Sequence, residues 1–245
     1  MQPFLSVIIP AFNEAERIGS SLTAILDYLQ AQPYTFELIV VDDGSRDRTI
    51  AVVKSTPCAL EKIRIISYAP NRGKGYAIRQ GVLASRGEYV LFMDADLSTP
   101  ITEIANAFAL ASDYDIVIGS RALHNSQIVV YQPLYRRIGA MIFNLLRDGL
   151  VGAGISRFKD TQCGFKLFRG EIARAIFSQA RVTGFMFDVE ILYLALKWNL
   201  KIVELPVEWA NVPGSKLRLF SDTIRMFKDL ALIRWSHRKS VQPAK

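Results

Sequence analysis

Cysteine and histidine are nearly absent from this chain, with two of each among 245 residues. Cys58 and Cys163 stand far apart and neither has a CxxC partner, which argues against structural zinc and suits a reducing cytosol. Both are expected to be buried, inert thiols. His124 and His237 show no partner pattern, so neither a His-centred triad nor a zinc site is expected. Long apolar runs are also missing, although hydrophobic residues make up 50% of the chain and mean hydropathy is +0.18. Arg147 and Asp148 break the run from Ile138 to Ile155, and Arg225, Lys228 and Asp229 break the tail. No stretch reaches the roughly 18 to 20 apolar residues of a membrane span. The N-terminal residues do not read as a signal peptide, because Pro10, Asn13 and Glu14 arrive before an adequate apolar core. Neither a Walker loop nor a GxGxxG fingerprint occurs, which disfavours an NTPase or a dehydrogenase.

What is present is a regular alternation. Leu5–Ile9, Phe36–Val41, Ile63–Ser67, Tyr89–Met93 and Ile116–Ser120 are short apolar runs, and helix-like segments separate most of them. This predicts βαβ units around a mostly parallel sheet buried on both faces, an α/β fold of the Rossmann-like kind. Asn13, with Glu16 as capping-box partner, is expected to start a helix whose inner stripe is Ile18, Leu22, Ile25, Leu26 and Leu29. Thr99-Pro100 is a second helix-start signal. Beyond Arg121 the pattern predicts an amphipathic helix over Leu134–Leu146, a loop marked by Gly149, Gly152 and Gly154, a helix over Phe187–Trp198 and a late strand in Lys201–Val207. No linker divides the chain. The expectation is one domain over residues 1–215 with a basic, amphipathic helical extension over 216–245, which carries +6 of the net +7 charge.

Ligands of parallel α/β sheets bind beyond the carboxyl ends of the strands. Read there in order, the chain presents Pro10-Ala11-Phe12-Asn13-Glu14, Asp42-Asp43-Gly44-Ser45, Asn71-Arg72-Gly73-Lys74-Gly75, Asp94-Ala95-Asp96 and Gly119-Ser120-Arg121. In Asp94-Ala95-Asp96, alternate carboxylates can face a sugar or ribose and a divalent ion, and Mg²⁺ or Mn²⁺ takes few carboxylates plus phosphate oxygens and water. Such an ion would neutralise a departing diphosphate. The carboxylate of Asp42 can accept from the N3–H of a uracil and Arg72 can stack on or bond to the base. The plainer reading of Asp42 is an ordinary turn residue. Lys74 and the amides around it precede a helix and can meet a phosphate.

These motifs resemble the inverting GT-A glycosyltransferases of family 2. More narrowly, Asn71–Gly75, Asp160–Phe168, Phe187-Asp188-Val189-Glu190 and Gly214-Ser215-Lys216-Leu217 resemble dolichyl-phosphate β-glucosyltransferases. The resemblance implies a GT-A fold, a nucleotide-sugar donor and a polyprenyl-phosphate acceptor. Asp94 and Asp96 are expected to hold the metal. Pro10, Ala11, Asn13 and Glu14, together with Asp42, Arg72, Lys74, Asp94 and Ala95, are expected on the donor side. By similarity to the related mannosyltransferases, Arg121 and Arg136 are expected on the acceptor phosphate, which needs cationic guides more than a base because its second pKa lies near ~6. Arg137 is the weaker neighbour. Asp188 and Glu190 are open between orienting cations and acting as base, and Asp160 between the site and a structural tie of the loop.

The implied reaction is inverting transfer of a sugar, foremost glucose from UDP-glucose, giving a β-linked lipid-phosphate sugar. Alternatives are mannose from GDP-mannose, a hydroxyl acceptor with Asp188 as base, and a non-catalytic nucleotide-sugar sensor, against which Asp94, Asp96 and the arginines count. Nucleic acid is not an expected partner, since the tail lacks a recognition motif. The eukaryotic glucosyltransferases carry an N-terminal membrane anchor and none is legible here. Peripheral attachment to the cytoplasmic face of a membrane is therefore expected through the Leu134–Leu146 segment and the tail. In the tail, Phe220, Ile224, Phe227, Leu230 and Trp235 would face lipid, while Lys216, Arg218, Arg225, Lys228, Arg234, Arg238 and Lys239 would meet headgroups. Packing of that stripe on the protein's own core is the alternative.

Overall fold

A computed structural model describes residues 2–56, 62–130, 147–152, 154–211 and 219–238, without the side chains of 219–225 and 227. Cys58, Arg136, Arg137, the Leu134–Leu146 segment and Lys216, Arg218 and Lys239 lie outside the described residues, as do the side chains of Phe220, Ile224, Arg225 and Phe227.

Seven strands form one sheet: β1 (Leu5–Ala11), β2 (Phe36–Asp42), β3 (Ile63–Ser67), β4 (Tyr89–Met93), β5 (Ile116–Ser120), β7 (Phe165–Arg169) and β8 (Ile202–Pro206), in the order β3-β2-β1-β4-β7-β5-β8. All neighbours run parallel except β7, which lies antiparallel between β4 and β5. The expected strands form where the apolar runs lie, with β1 and β2 extended to Ala11 and Asp42. β7 is an addition, inserted into the middle of the sheet. A second, two-stranded sheet pairs β6 (Gln127–Val130) with β9 (Glu208–Ala210).

The strand period divides the core in two. Ile8, Ile39, Val41, Val90, Phe92, Ile118 and Phe168 face one cluster with α3 (Lys74–Ala84), α5 (Gly170–Gln179) and α6 (Phe187–Lys197). Val7, Ile9, Val40, Leu91, Met93 and Leu167 face the other with α1 (Ile18–Gln30) and α4 (Glu103–Ala111). α2 (Thr49–Ser55) packs at the margin of α1. Burial on both faces is why these runs read as continuously apolar.

The stripe of α1 is buried as expected, but its cap is not. The helix starts at Ile18 after a turn through Glu14, and Arg17 stands at the N-cap with no side-chain cap bond. Asn13 adopts φ 54° and its Oδ1 accepts from the amide of Arg46, while Glu16 is exposed. Asn13 is spent on joining two loops. Likewise Pro100 opens a turn ahead of α4 rather than its first helical turn. Gly149 is helical within 147–151, whereas Gly152 and Gly154 take positive φ and form the loop.

The C-terminal helix α7 (Leu219–Ser236) packs its later turns into the main core, where Leu230 and Ile233 are buried. This corrects the lipid-facing assignment of Leu230. Leu232 and Trp235 remain outside, Trp235 at 68% exposure, beside exposed Lys228, Arg234 and Arg238. Among the described residues no helix is long and apolar enough to cross a membrane.

Candidate active site

The carboxyl ends of β1, β2 and β4 and the loops after them meet on one edge of the sheet. The β1 and β2 loops are stitched together: the Asn13 amide donates to Ser45 Oγ at 2.9 Å, and the Glu14 amide donates to Thr49 Oγ1 at 2.8 Å. Asp42 is 2% exposed, and its oxygens accept from Ser67 Oγ at 3.0 Å and the Ser45 amide at 3.3 Å. Its neighbour Asp43 was not singled out by the sequence, yet it shapes the next loop. Its carboxylate accepts from Asn71 Nδ2 (2.7 Å), the Arg72 amide (2.8 Å) and the Gly73 amide (2.8 Å). Arg72 lies over the ring of Tyr76 at 3.8 Å and donates to its hydroxyl at 2.6 Å. Gly73 takes φ 104°, a region that favours glycine. The loop thereby delivers Lys74 as the first residue of α3.

Lys74 reaches across to Asp94, with Nζ 2.6 Å from Oδ1. Burial works against its charge, but Asp94, Asp188 and Asp96 outweigh burial and raise its pKa above the ordinary value. Asp94 sits against β7: its amide donates to the Gly164 carbonyl at 3.0 Å, and its carboxylate packs on the face of Gly164 where a Cβ would be. Asp96 closes a turn in which Oδ1 accepts from the Ser98 amide (3.0 Å) and hydroxyl (2.6 Å). Arg17, whose pKa is raised by its hydrogen bonds to Glu14, also feels the charge of Asp96, so the β1 and β4 ends look onto the same space. Ala95 between them is buried in the core.

A divalent ion fits this donor set as a lightly held group. Among the described residues, Asp96 Oδ2 takes no hydrogen bond, and no three His, Cys, Asp or Glu side chains converge as an all-protein cage. Two carboxylates completed by phosphate oxygens and water are what Mg²⁺ and Mn²⁺ accept.

Behind Asp94 lies an ion pair in the core. Lys166 is 0% exposed and donates to Asp188 Oδ1 (2.5 Å) and the Cys163 carbonyl (2.6 Å), with Nζ 5.2 Å from the centre of the Phe92 ring. Two buried charges offset their desolvation only in such a fully bonded arrangement. Burial raises the Asp188 pKa, opposed by Lys166 and Lys74. Of the two readings of Asp188, the structure shows the pairing with a cation: it lies beneath the site as the partner of Lys166. Glu190 is fully buried and accepts from the amides of Arg181 and Val182 and from His237. His237, expected without a partner, has one.

Arg121 stands at the end of β5 with two guanidinium nitrogens on Asp160, Nε at 2.6 Å and Nη2 at 2.9 Å, and its ring-facing side 5.3 Å from Trp209. Burial disfavours the charge of Asp160, but Arg121 outweighs it and holds the carboxyl at about 2. Asp160 is thus the structural tie of its loop and the anchor of Arg121. Arg147, at the end of the interrupted apolar run, is buried against Thr161 Oγ1 and the Phe158 carbonyl. Cys163 is buried with its thiol pushed up to about 11 by burial, hence inert as expected. The structure brings Pro10, Ala11, Asn13, Glu14, Asp42, Arg72, Lys74 and Asp94–Asp96 to one edge, with Arg121 reached electrostatically through Asp94. Asp43, Gly164 and Lys166 are the contributors sequence reasoning passed over. An acidic residue beside Asp42 and a glycine–lysine pair within an apolar run were the available signals.

The model of the family described as glycosyl transferase family 2 matches residues 6–177. A dolichyl-phosphate beta-glucosyltransferase of Dictyostelium discoideum is 40% identical over 250 residues, covering 96% of this chain and 75% of that protein. Its namesake in Homo sapiens is 37% identical, covering 94% of this chain and 74% of that protein. Among solved structures, glucosyl-3-phosphoglycerate synthase of Mycobacterium tuberculosis in complex with Mn²⁺, UDP and glucosyl-3-phosphoglycerate superposes with a TM-score of 0.68. It covers 95% of this chain and 80% of its own at 18% identity, a likeness of fold alone.

Proposed function

The chain belongs to glycosyl transferase family 2, and on that premise we propose that it transfers glucose from UDP-glucose to the phosphate of a dolichyl or other polyprenyl lipid, with inversion. The observation that carries this reading is the convergence of Lys74, Asp94 and Asp96 on one sheet edge, with Arg121 beside it, in a chain whose relatives are dolichyl-phosphate beta-glucosyltransferases at 37–40% identity.

In this reading Asp96 and Asp94 hold a divalent ion, which when bound neutralises charge on the departing diphosphate. Lys74, kept cationic by three carboxylates, supplies a second positive charge to that group. Gly164 fixes the position of Asp94 through its carbonyl, which takes the Asp94 amide, and through its bare Cα, on which the carboxylate packs. Arg121, held rigid by Asp160 and backed by Trp209, orients the acceptor phosphate with Nη1, joined by Arg136. At neutral pH that phosphate is largely a dianion, since its second pKa is near ~6. It attacks the anomeric carbon from the face opposite the diphosphate, and no protein base is required. In the same reading Asp42 and Arg72 recognise the uracil. The patch of Leu150, Leu232 and Trp235 with Lys228, Arg234 and Arg238 is the membrane-facing surface, held together by the bond from Arg234 to the Leu150 carbonyl.

The test is incubation of the protein with membranes and a panel of radiolabelled nucleotide sugars, following label into lipid extract. Label is expected from UDP-glucose, stopped by EDTA and restored by Mg²⁺ or Mn²⁺. Label from GDP-mannose in its place would replace the glucose reading with the mannosyl one, and no lipid label from any donor would refute both.

A further inference from the structure

The donor-side loop is held from behind by a buried carboxylate that also grips the residue just past the far end of α7. Gly73 and Gly75, on either side of Lys74, press on residues 182–184. The Tyr76 amide donates to the Thr183 carbonyl at 3.2 Å, and Gly73 lies against that same carbonyl. At Gly75 a Cβ would stand 2.6 Å from Phe187 Cβ and 2.7 Å from the Val182 carbonyl, closer than side chains approach. Any movement of the 182–184 backbone is therefore passed directly to Lys74.

Glu190 fixes that backbone. From within α6 its Oε1 accepts from the Arg181 amide and its Oε2 from the Val182 amide, both at 2.9 Å. Its third donor is His237 Nε2, 2.7 Å from Oε1, just past the end of α7. Lys197 completes the joint by donating to the carbonyls of His237 (2.7 Å) and Arg238 (2.5 Å). A carboxylate with no exposure is costly unless each oxygen is matched, and here three N–H donors match it. An apolar side chain would pack this space without setting amide positions, so the charge provides registration that packing does not.

We propose that Glu190 is a positioning residue for nucleoside-diphosphate binding: through the amides of residues 181 and 182 it sets the height of the Gly73–Gly75 loop, and through His237 it makes that height depend on the seating of α7. The outer face of α7 carries Leu232 and Trp235, so the helix that offers apolar surface to a membrane is bonded, three links away, to the lysine on Asp94. The proposal rests on the reading that Lys74 meets the donor diphosphate.

The experiment measures UDP affinity by calorimetry with Mn²⁺, and KM for donor and acceptor separately, on the full chain and three variants. Glu190→Gln turns one oxygen into a donor facing a donor, and is expected to weaken UDP and raise donor KM about tenfold with acceptor KM unchanged within about twofold. His237→Gln leaves both loop amides bonded and is expected to move the same parameters by about threefold. Lys74→Ala tests the underlying reading: unchanged UDP affinity in that variant removes the loop from the donor site and the proposal with it. If Lys74→Ala weakens UDP while Glu190→Gln is folded and binds as the wild type does, the positioning role alone is overturned. A lower melting temperature for Glu190→Gln with unaltered donor parameters overturns that role equally. If Glu190→Gln does not fold, His237→Gln decides, and normal donor parameters there overturn the proposal.

Discussion

Substituting Gly164 by alanine is the sharpest perturbation of the site that alters none of the candidate functional residues themselves. The added methyl would fall inside the envelope of the whole Asp94 carboxyl, and even the most distant of its three atoms, Oδ1, would be only 2.5 Å away. Real Cβ atoms essentially never come nearer than 3.0 Å, so the carboxylate must move by more than half an ångström and abandon its geometry with Lys74. Misplacing a reacting constellation by ~1 Å costs about 10²-fold in rate, or about 2.7 kcal/mol of barrier. Gly164 has no positive φ, so the backbone itself tolerates alanine. Gly149→Ala serves as the control: it is helical, nothing lies within 4 Å of the new Cβ, and a gain of about 0.4–1 kcal/mol in stability is expected there. Steady-state transfer assays and thermal melts on both variants report the outcome. A Gly164→Ala enzyme with kcat within about twofold of wild type would show that Asp94 is not held where catalysis needs it, and the site would have to be redrawn.

Acid sensitivity should trace to Asp160. Its carboxyl is held at about 2 against an ordinary 3.8, a depressed pKa, so its stabilisation is present above about pH 4 and is lost as pH falls toward 2. The difference is on the order of 2 kcal/mol. Asp160→Asn should lose at least that much at neutral pH and show a flatter urea midpoint between pH 4 and 2, and an unaltered acid slope would contradict the assignment. Membrane attachment should depend on the outer edge of α7: the full chain is expected to float with anionic liposomes at low salt, less so at high salt, and Leu232→Ser with Trp235→Ser should abolish flotation. Full-length protein that stays at the bottom of the gradient at low salt would leave α7 as a brace only.

The parallel strands were legible because burial on both faces leaves an unbroken apolar run, and such runs are short and bounded by turn residues. β7 was not, because its second residue is Lys166 and its last is Arg169; a lysine in a central strand makes sense only once Asp188 is known to face it. Asn13, with Glu16 three residues on, carried a helix-start pattern, yet Ser45 and Arg46 from the neighbouring loop competed for the polar groups of Asn13 and won. The residues proposed for the donor side were picked out by their places at strand ends, and the structure gathers them on one sheet edge. Which carboxylates face solvent was not, since the burial of Asp188 and Glu190 is decided by residues distant in sequence, Lys166 and His237. The stripe of α7 had the period of a core helix and of an interfacial one alike, and only Leu230 and Ile233 meeting the main core separated the two.

The antiparallel insertion of β7 sets an order in which the molecule can be assembled. β1, β2, β3 and β4 find one another within the first stretch of chain, but β5 borders only β7 and β8, both made later. As the chain leaves the ribosome, Ile116–Ser120 emerges as an entirely buried-type strand with no partner, beside a β4 whose second edge is also open. Such edges recruit other chains, and closing them through distant segments is slow. Residues 165–169 fill the gap between β4 and β5, leaving β8 to cover the other edge of β5, and in the same event bring the Gly164 carbonyl to the amide of Asp94. A fragment that stops short of β7 therefore has neither a continuous sheet nor a seated Asp94: one strand both bridges the two halves of the sheet and completes the seat of that carboxylate.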